Sequence, residues 1–204
     1  MNLNVHTQLL FINQCFFTFP VTCNTLESTR EEIVDQELIQ AAKDLTLLKC
    51  ILPRIEIEAA TTNFKYTLLI LATANGNLEG VNYLLNQGAN ARAETDQGTS
   101  SFSLAAGRGR LEIVKVLYNK DPSILEQKDS EGRNALIWAS MKGHLDVVKF
   151  LVQNGADENV QSNEGETPLS VAFRNNHDDV VIFLGMEPIS NLSVCNIRHD
   201  EIVC

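Results

Sequence analysis

An all-α solenoid of helix-turn-helix units is the fold this sequence predicts, and three observations predict it. The first is period. Thr67, Ser100, Asn134 and Thr167 hold one place in four similar stretches and lie 33, 34 and 33 residues apart, a spacing that marks stacked supersecondary units. The second is an apolar stripe at helical spacing: Leu145, Val148, Leu151 and Val152, recurring as Leu78, Val81, Leu84, Leu85 and as Leu111, Val114, Leu117, Tyr118. The third is a small residue at one register, Ala72, Ala105, Ala139 and Ala172, where neighbouring first helices must approach closely. One unit cannot bury its stripe alone, so stacking supplies the core.

From the N-terminus, residues 1–30 form an apolar leader, uncharged as far as Leu26. Met1 to Leu26 contains no Asp, Glu, Lys or Arg, and Phe11, Phe16, Phe17 and Phe19 fall within nine residues. A secretion signal is the competing reading. Against it, Asn13, Gln14 and Thr18 interrupt the run, no Lys or Arg precedes it, and Val21-Thr22-Cys23 makes a poor cleavage site. The run is too short to span a bilayer. An apolar arm over the solenoid's first face, or a poorly ordered leader, is the expectation.

Residues 31–62 read as a degenerate capping repeat: Glu37 to Leu52 carries Ala41-Ala42, lacks the following Gly, and is broken by Pro53. Full units follow at 63–95, 96–128, 129–161 and 162–188. In the third, the first helix runs from Asn134 to Lys142 and Gly143 ends it in the left-handed conformation. His144 opens the second helix, Gly155 stops it, and Ala156 to Glu164 turns back. In the fourth, Asp178 replaces Leu78, Leu111 and Leu145, and Pro188 ends any helix. That polar exchange suits an outer face turned to water. Residues 189–204 form a tail.

Four stretches carry the pattern, from YTLLILATANGNLEGVNYLLNQGAN to ETPLSVAFRNNHDDVVIFLGMEP, and GHLDVVKFLVQNGAD over Gly143 to Asp157 matches it best. These residues resemble the ankyrin repeat, G-x-T-P-L-H-x-A-A-x-x-G-H-x-E-V-V-x-x-L-L-x-x-G-A-D. The resemblance covers residues 63–185 and, more faintly, 31–62. It implies a solenoid of four to five units with projecting loops. Two departures stand out. TPLH appears as TLLI, SSFS, NALI and TPLS, so the histidine that knits adjacent turns is missing, which puts thermal stability in doubt. Repeat two closes in Asp121-Pro122-Ser123 instead of Gly-Ala-Asp, with a loop one residue longer.

Chemistry is absent from the motif search. There is no P-loop, GxSxG, HExxH or GxGxxG, and Gly107-Arg108-Gly109 belongs to an interhelix turn. His144 and His177 share a repeat position and read as turn residues. Cys195, His199 and Cys204 lack the tight pairing of a structural zinc site. Five cysteines without a CxxC argue against a disulfide scaffold and suit a reducing compartment. With a net charge of −10, the chain would be repelled by phosphate backbones and anionic lipid. The expectation is therefore no catalytic residue, cofactor or metal, no nucleic-acid partner, no membrane span, and a cytoplasmic monomer.

The resemblance implies a partner protein on the concave surface made by loop tips and first helices. On this sequence the loop positions are Tyr66, then Asp96, Gln97 and Thr99, then Glu131 and Arg133, then Glu164 and Glu166. The helix positions are Arg108, Met141, Lys142 and Arg174. Tyr66, Arg108, Arg133, Met141 and Arg174 are the expected anchors, since Tyr and Arg combine contact area with hydrogen bonding. The single Trp138 aligns with Leu71, Leu104 and Val171, which makes it a framework residue. The alternative is a secreted or host-directed effector with its signal in the leader or tail.

Overall fold

A computed structural model describes residues 35–61 and 65–185. The apolar leader, Phe64 and the 189–204 tail lie outside the described residues. Five helix pairs follow one another: α1 (Asp35–Ala41) with α2 (Leu45–Ile51), α3 (Leu68–Asn75) with α4 (Leu78–Asn86), α5 (Ser101–Gly107) with α6 (Leu111–Lys120), α7 (Ala135–Lys142) with α8 (Leu145–Gln153), and α9 (Pro168–Arg174) with α10 (Asp178–Gly185). Short 3-10 turns occupy Leu52–Arg54 and Pro122–Ile124. Among the described residues there is no strand, only isolated bridges at Ala60–Thr67 and Glu94–Ser100.

The periodic Thr/Ser/Asn residues are the N-caps of the first helices. Their side chains accept from Ile70 N at 3.4 Å, Ser103 N at 3.2 Å, Ile137 N at 3.0 Å and Ser170 N at 3.2 Å, each satisfying one orphan amide of the first turn. At the other end Gly76 and Gly143 close α3 and α7 at φ 73° and 72°. The fourth unit puts Asn176 at that place with φ 59°, a residue whose short amide tolerates the left-handed region.

The core runs through all five pairs. Ala72, Ala105, Ala139 and Ala172 are fully buried, as their common register requires. The second-helix stripe differs from the expected one. Val148, Leu151 and also Val147 have no exposure, whereas Leu145 and Val152 are only half-buried. Val147 faces inward because each second helix lies against its own first helix and the adjoining unit, which widens the buried sector beyond one seam. The extra residue of repeat two is absorbed by the Pro122–Ile124 turn, capped by the Asp121 carboxylate, which accepts from Ser123 N at 3.0 Å.

The missing histidine of TPLH costs no inter-unit contact. Ile70 and Ile137 fill its place with no exposure. The knitting is done instead from the turns. A carbonyl near the end of each first helix accepts from the following unit: Ala42 O from Asn77 Nδ2 at 3.1 Å, Ala74 O from Arg108 Nη1 at 2.7 Å, Gly107 O from His144 Nε2 at 3.2 Å, and Met141 O from His177 Nε2 at 3.1 Å.

The last unit departs from a purely polar outer face. Asp178 is exposed, but so are Leu169 (38%), Phe173 (74%) and Ile182 (59%). Phe173 stands in register with Thr73, Ala106 and Ser140, each fully buried. Cys50 on α2 is half-buried; the other four cysteines lie outside the described residues.

Candidate functional site

From the second unit onward, first helices of adjacent units pack more closely than second helices do. The first helices therefore form one continuous inner face, and the hairpins between units stand at their N-terminal edge. Each hairpin is closed by a polar side chain at its base. Thr61 Oγ1 accepts from Tyr66 N at 3.1 Å, Thr95 Oγ1 from Thr99 N at 3.1 Å, and Ser162 Oγ from Glu166 N at 3.2 Å. Lateral bonds join the tips: Ser130 N donates to Gln97 O at 3.1 Å and Asn163 N to Glu131 O at 2.9 Å. Gly132 has φ 75°, and an added Cβ would lie 2.8 Å from Asn163 N. Only glycine fits there, by conformation and by space.

The third hairpin replaces the hydroxyl with a carboxylate. Asp129 is 7% exposed and accepts four donors: Glu131 N at 3.0 Å, Arg133 N at 2.9 Å, Arg133 Nε at 3.0 Å and Trp138 Nε1 at 2.9 Å. Arg133 also pairs with Glu131 at 2.6 Å and lies over the indole, 4.2 Å from the ring centre. Opposite charge, charge-assisted hydrogen bonds and cation–π attraction thus converge on one buried carboxylate.

Trp138 is half-buried rather than a framework side chain sealed between units. Its neighbour is Gly107 of the preceding unit, where an added Cβ would lie 3.3 Å from Cε3. Gly107 falls in register with Ala74, Met141 and Arg174, and the smallest residue of that row lets the indole approach this closely. Leu104 and Met141 are half-buried beside it in the same two rows.

The expected anchors are not free contacts. Arg108 is exposed, yet its guanidinium bonds Ala74 O. Arg133 is a member of the Asp129 cluster, half-buried and bonded through both backbone and side chain. Arg174 pairs with Glu166. Met141 packs on Ile137, Val160 and Val171, and Tyr66 packs on the main core. Asp96, Gln97, Glu131, Lys142 and Glu164 are exposed, and Thr99 is half-buried. The structure thus brings Glu131 and Arg133 together, and Glu166 and Arg174 together. It adds Asp129 and Trp138, which sequence reasoning left out. A signal existed: Asp129 is the one acid in a register of Thr61, Thr95 and Ser162, with the only Trp nine residues on.

Among the described residues no group of three or more His, Cys, Asp or Glu is placed to hold a metal. No helix there is long and apolar enough to cross a membrane.

Comparison with known proteins agrees with this architecture. A family model described as ankyrin repeats in three copies matches residues 38–127 and 102–192. An ankyrin repeat and KH domain-containing protein of Caenorhabditis briggsae is 34% identical over 140 residues, 68% of this chain and 5% of that protein. A putative ankyrin repeat-containing protein of Treponema pallidum is 31% identical over 122 residues, 60% of this chain and 41% of its own. The NAD-capped RNA hydrolase NUDT12 of Macaca fascicularis is 26% identical over 101 residues, 50% of this chain and 20% of that enzyme. The chain thus spans well under two thirds of these relatives. With its repeat period, its stacked helix pairs and a family match from residue 38 to residue 192, the chain belongs to the ankyrin-repeat family.

Proposed function

We propose that the chain is a non-enzymatic protein-interaction module that holds a partner on the inner surface formed by the first helices and hairpin tips. Ankyrin repeats are generally such modules. The observation that carries the reading is Trp138, a large aromatic left partly open beside Gly107 while Asp129 and Arg133 fix its orientation. A rigid, half-exposed aromatic loses little side-chain entropy on contact, which is why such residues dominate interface energetics. Hydrogen bonds between adjacent tips support it by holding the rim in one arrangement before a partner arrives.

The experiment is site-specific photocrosslinking of the full chain in its native extract. Photoreactive groups at Met141 and Lys142 on the inner side should yield one protein adduct identified by mass spectrometry. The same groups at Glu79 and Glu112 on the second helices should not. Adducts from the second-helix positions alone would sink the inner-surface reading.

The secreted or host-directed alternative rests on the uncharged apolar run from Met1 to Leu26, which would then be a targeting signal. Mass spectrometry of the protein from its source, before and after reduction, decides it. A reduced Cys50 and an unprocessed N-terminus favour the plain cytoplasmic adaptor.

A further inference from the structure

Resting on the reading of the inner surface as the binding face, we infer the chemistry of the partner: an amphipathic helix laid along that surface, with an apolar stripe flanked by basic residues on one side and acidic residues on the other. Three features of the surface lead there.

The middle of the surface is apolar. Leu104 and Gly107 lie three residues apart on α5, and Trp138 and Met141 three apart on α7, so each pair shares one helix face. At Gly107 the indole closes against the neighbouring unit, since a Cβ there would lie 3.3 Å from Trp138 Cε3, and half-buried Leu104, Trp138 and Met141 make one apolar strip.

The two edges carry opposite charge. At the hairpin tips Asp96, Glu131 and Glu164 are exposed in three successive units. Glu131 is partly offset by Arg133; Asp96 and Glu164 have no cation among the ion pairs of the described residues. At the opposite edge, where the first helices end, the exposed residues in one register are Asn75, Arg108, Lys142 and Asn175. Arg108 stands at this edge with its guanidinium bonded to the Ala74 carbonyl. A partner of one sign would meet attraction on one edge and repulsion on the other. Complementary edges fix orientation more than they add affinity.

The width between the edges selects a helix. α7 has 8 residues, so at 1.5 Å of rise per residue the surface is about 12 Å across. A helix with its side chains is about 10–12 Å in diameter, whereas a single extended strand would leave one edge unmet. Because the flanks differ, the bound helix has one direction along the stack: reversing it swaps the edges.

The test uses the intrinsic fluorescence of Trp138, the single tryptophan of the chain, and three synthetic helical peptides sharing one Leu stripe. Their flanks are Lys on one side with Glu on the other, Lys on both, or Glu on both. The mixed peptide should bind at physiological salt with a shift of Trp138 emission, at least tenfold tighter than either other. Gly107→Met should weaken it about tenfold or more while circular dichroism shows the chain still folded. Gly107→Ala, gentler on packing, should weaken it several-fold. A doubly basic peptide that binds as well as the mixed one overturns the inference in favour of general attraction to an acidic protein, and leaves the binding-face reading standing. The same follows if none of the three binds below millimolar concentration. Tight binding of the mixed peptide with no change at Trp138 and no effect of Gly107 substitution overturns both, because recognition then lies elsewhere.

Discussion

The second and third hairpins have the same backbone and different chemistry. Thr95 N donates to Thr99 O at 3.0 Å and Gly98 N to Thr95 O at 3.0 Å; Asp129 N donates to Arg133 O at 3.0 Å and Gly132 N to Asp129 O at 2.9 Å. The glycines have φ 71° and 75°. At three registers on this shared frame, Thr95, Thr99 and Leu104 become Asp129, Arg133 and Trp138. The Thr95 hydroxyl accepts from one hairpin amide, while the Asp129 carboxylate binds backbone, guanidinium and indole together. A repeat fixes the frame cheaply with a glycine and any short acceptor. Individual units are then free to place a charged, aromatic cluster where partners arrive.

The sharpest way to break this contrast is at the two acceptors. Asp129→Ala should destabilise by ~2–4 kcal/mol, because a half-buried Arg133 and the Trp138 N–H lose their partner. Thr95→Ala should cost ~1 kcal/mol, the ordinary value of one neutral hydrogen bond. Urea unfolding of both variants gives the comparison, and equal costs would remove any special role for the third hairpin.

Trp138→Leu, which restores the residue of repeat two, should cost ~1–2 kcal/mol, less than the ~3–5 kcal/mol of a fully buried aromatic truncated to Ala. Thermal unfolding by circular dichroism reads it. A larger loss would place the indole deeper in the core than its half-burial indicates.

Arg133→Thr, again the residue of repeat two, should cost ~1–2 kcal/mol, since the carboxylate keeps its two hairpin amides and the indole but loses its cation. Charge reversal at Arg133 should be worse, setting an acid beside Asp129 and Glu131. Unfolding midpoints of the two variants should rank in that order.

The smallest effect concerns the linker between these two units. The Asp121 carboxyl is held below the usual aspartate range, chiefly by the Ser123 hydroxyl it accepts from, with partial desolvation opposing and the Ser123 amide and Arg92 adding. A lowered folded-state value means stability present above the ordinary aspartate pKa and lost as pH falls through the lowered one. Asp121→Asn should lower stability slightly near neutral pH and converge with the parent chain at low pH, so that the acid limb of its stability–pH curve is slightly flatter.

Much of the fold was legible because it depends on local rules repeated four times. Period, small first-helix residues and the left-handed Gly76 and Gly143 each constrain the backbone wherever they occur. The site was legible only by register. Loop tips and first-helix positions could be enumerated, but not which arginine is engaged: Arg108 reaches a carbonyl 34 positions back, and no sequence spacing marks that contact. Val147 was missed for a related reason, since a stripe drawn for one seam ignores the second surface a stacked helix touches.

By itself, then, the sequence determined the unit, its period, its caps and its membership of a solenoid, because these follow from residue propensities within one turn or one repeat. Tertiary structure alone decided that Asp129 is buried under four donors, that Trp138 closes on Gly107 of the preceding unit, and that Arg108, Arg133 and Arg174 are bound rather than free. Each of these depends on which side chain of one unit meets which atom of the next, and that is set by the stacking geometry.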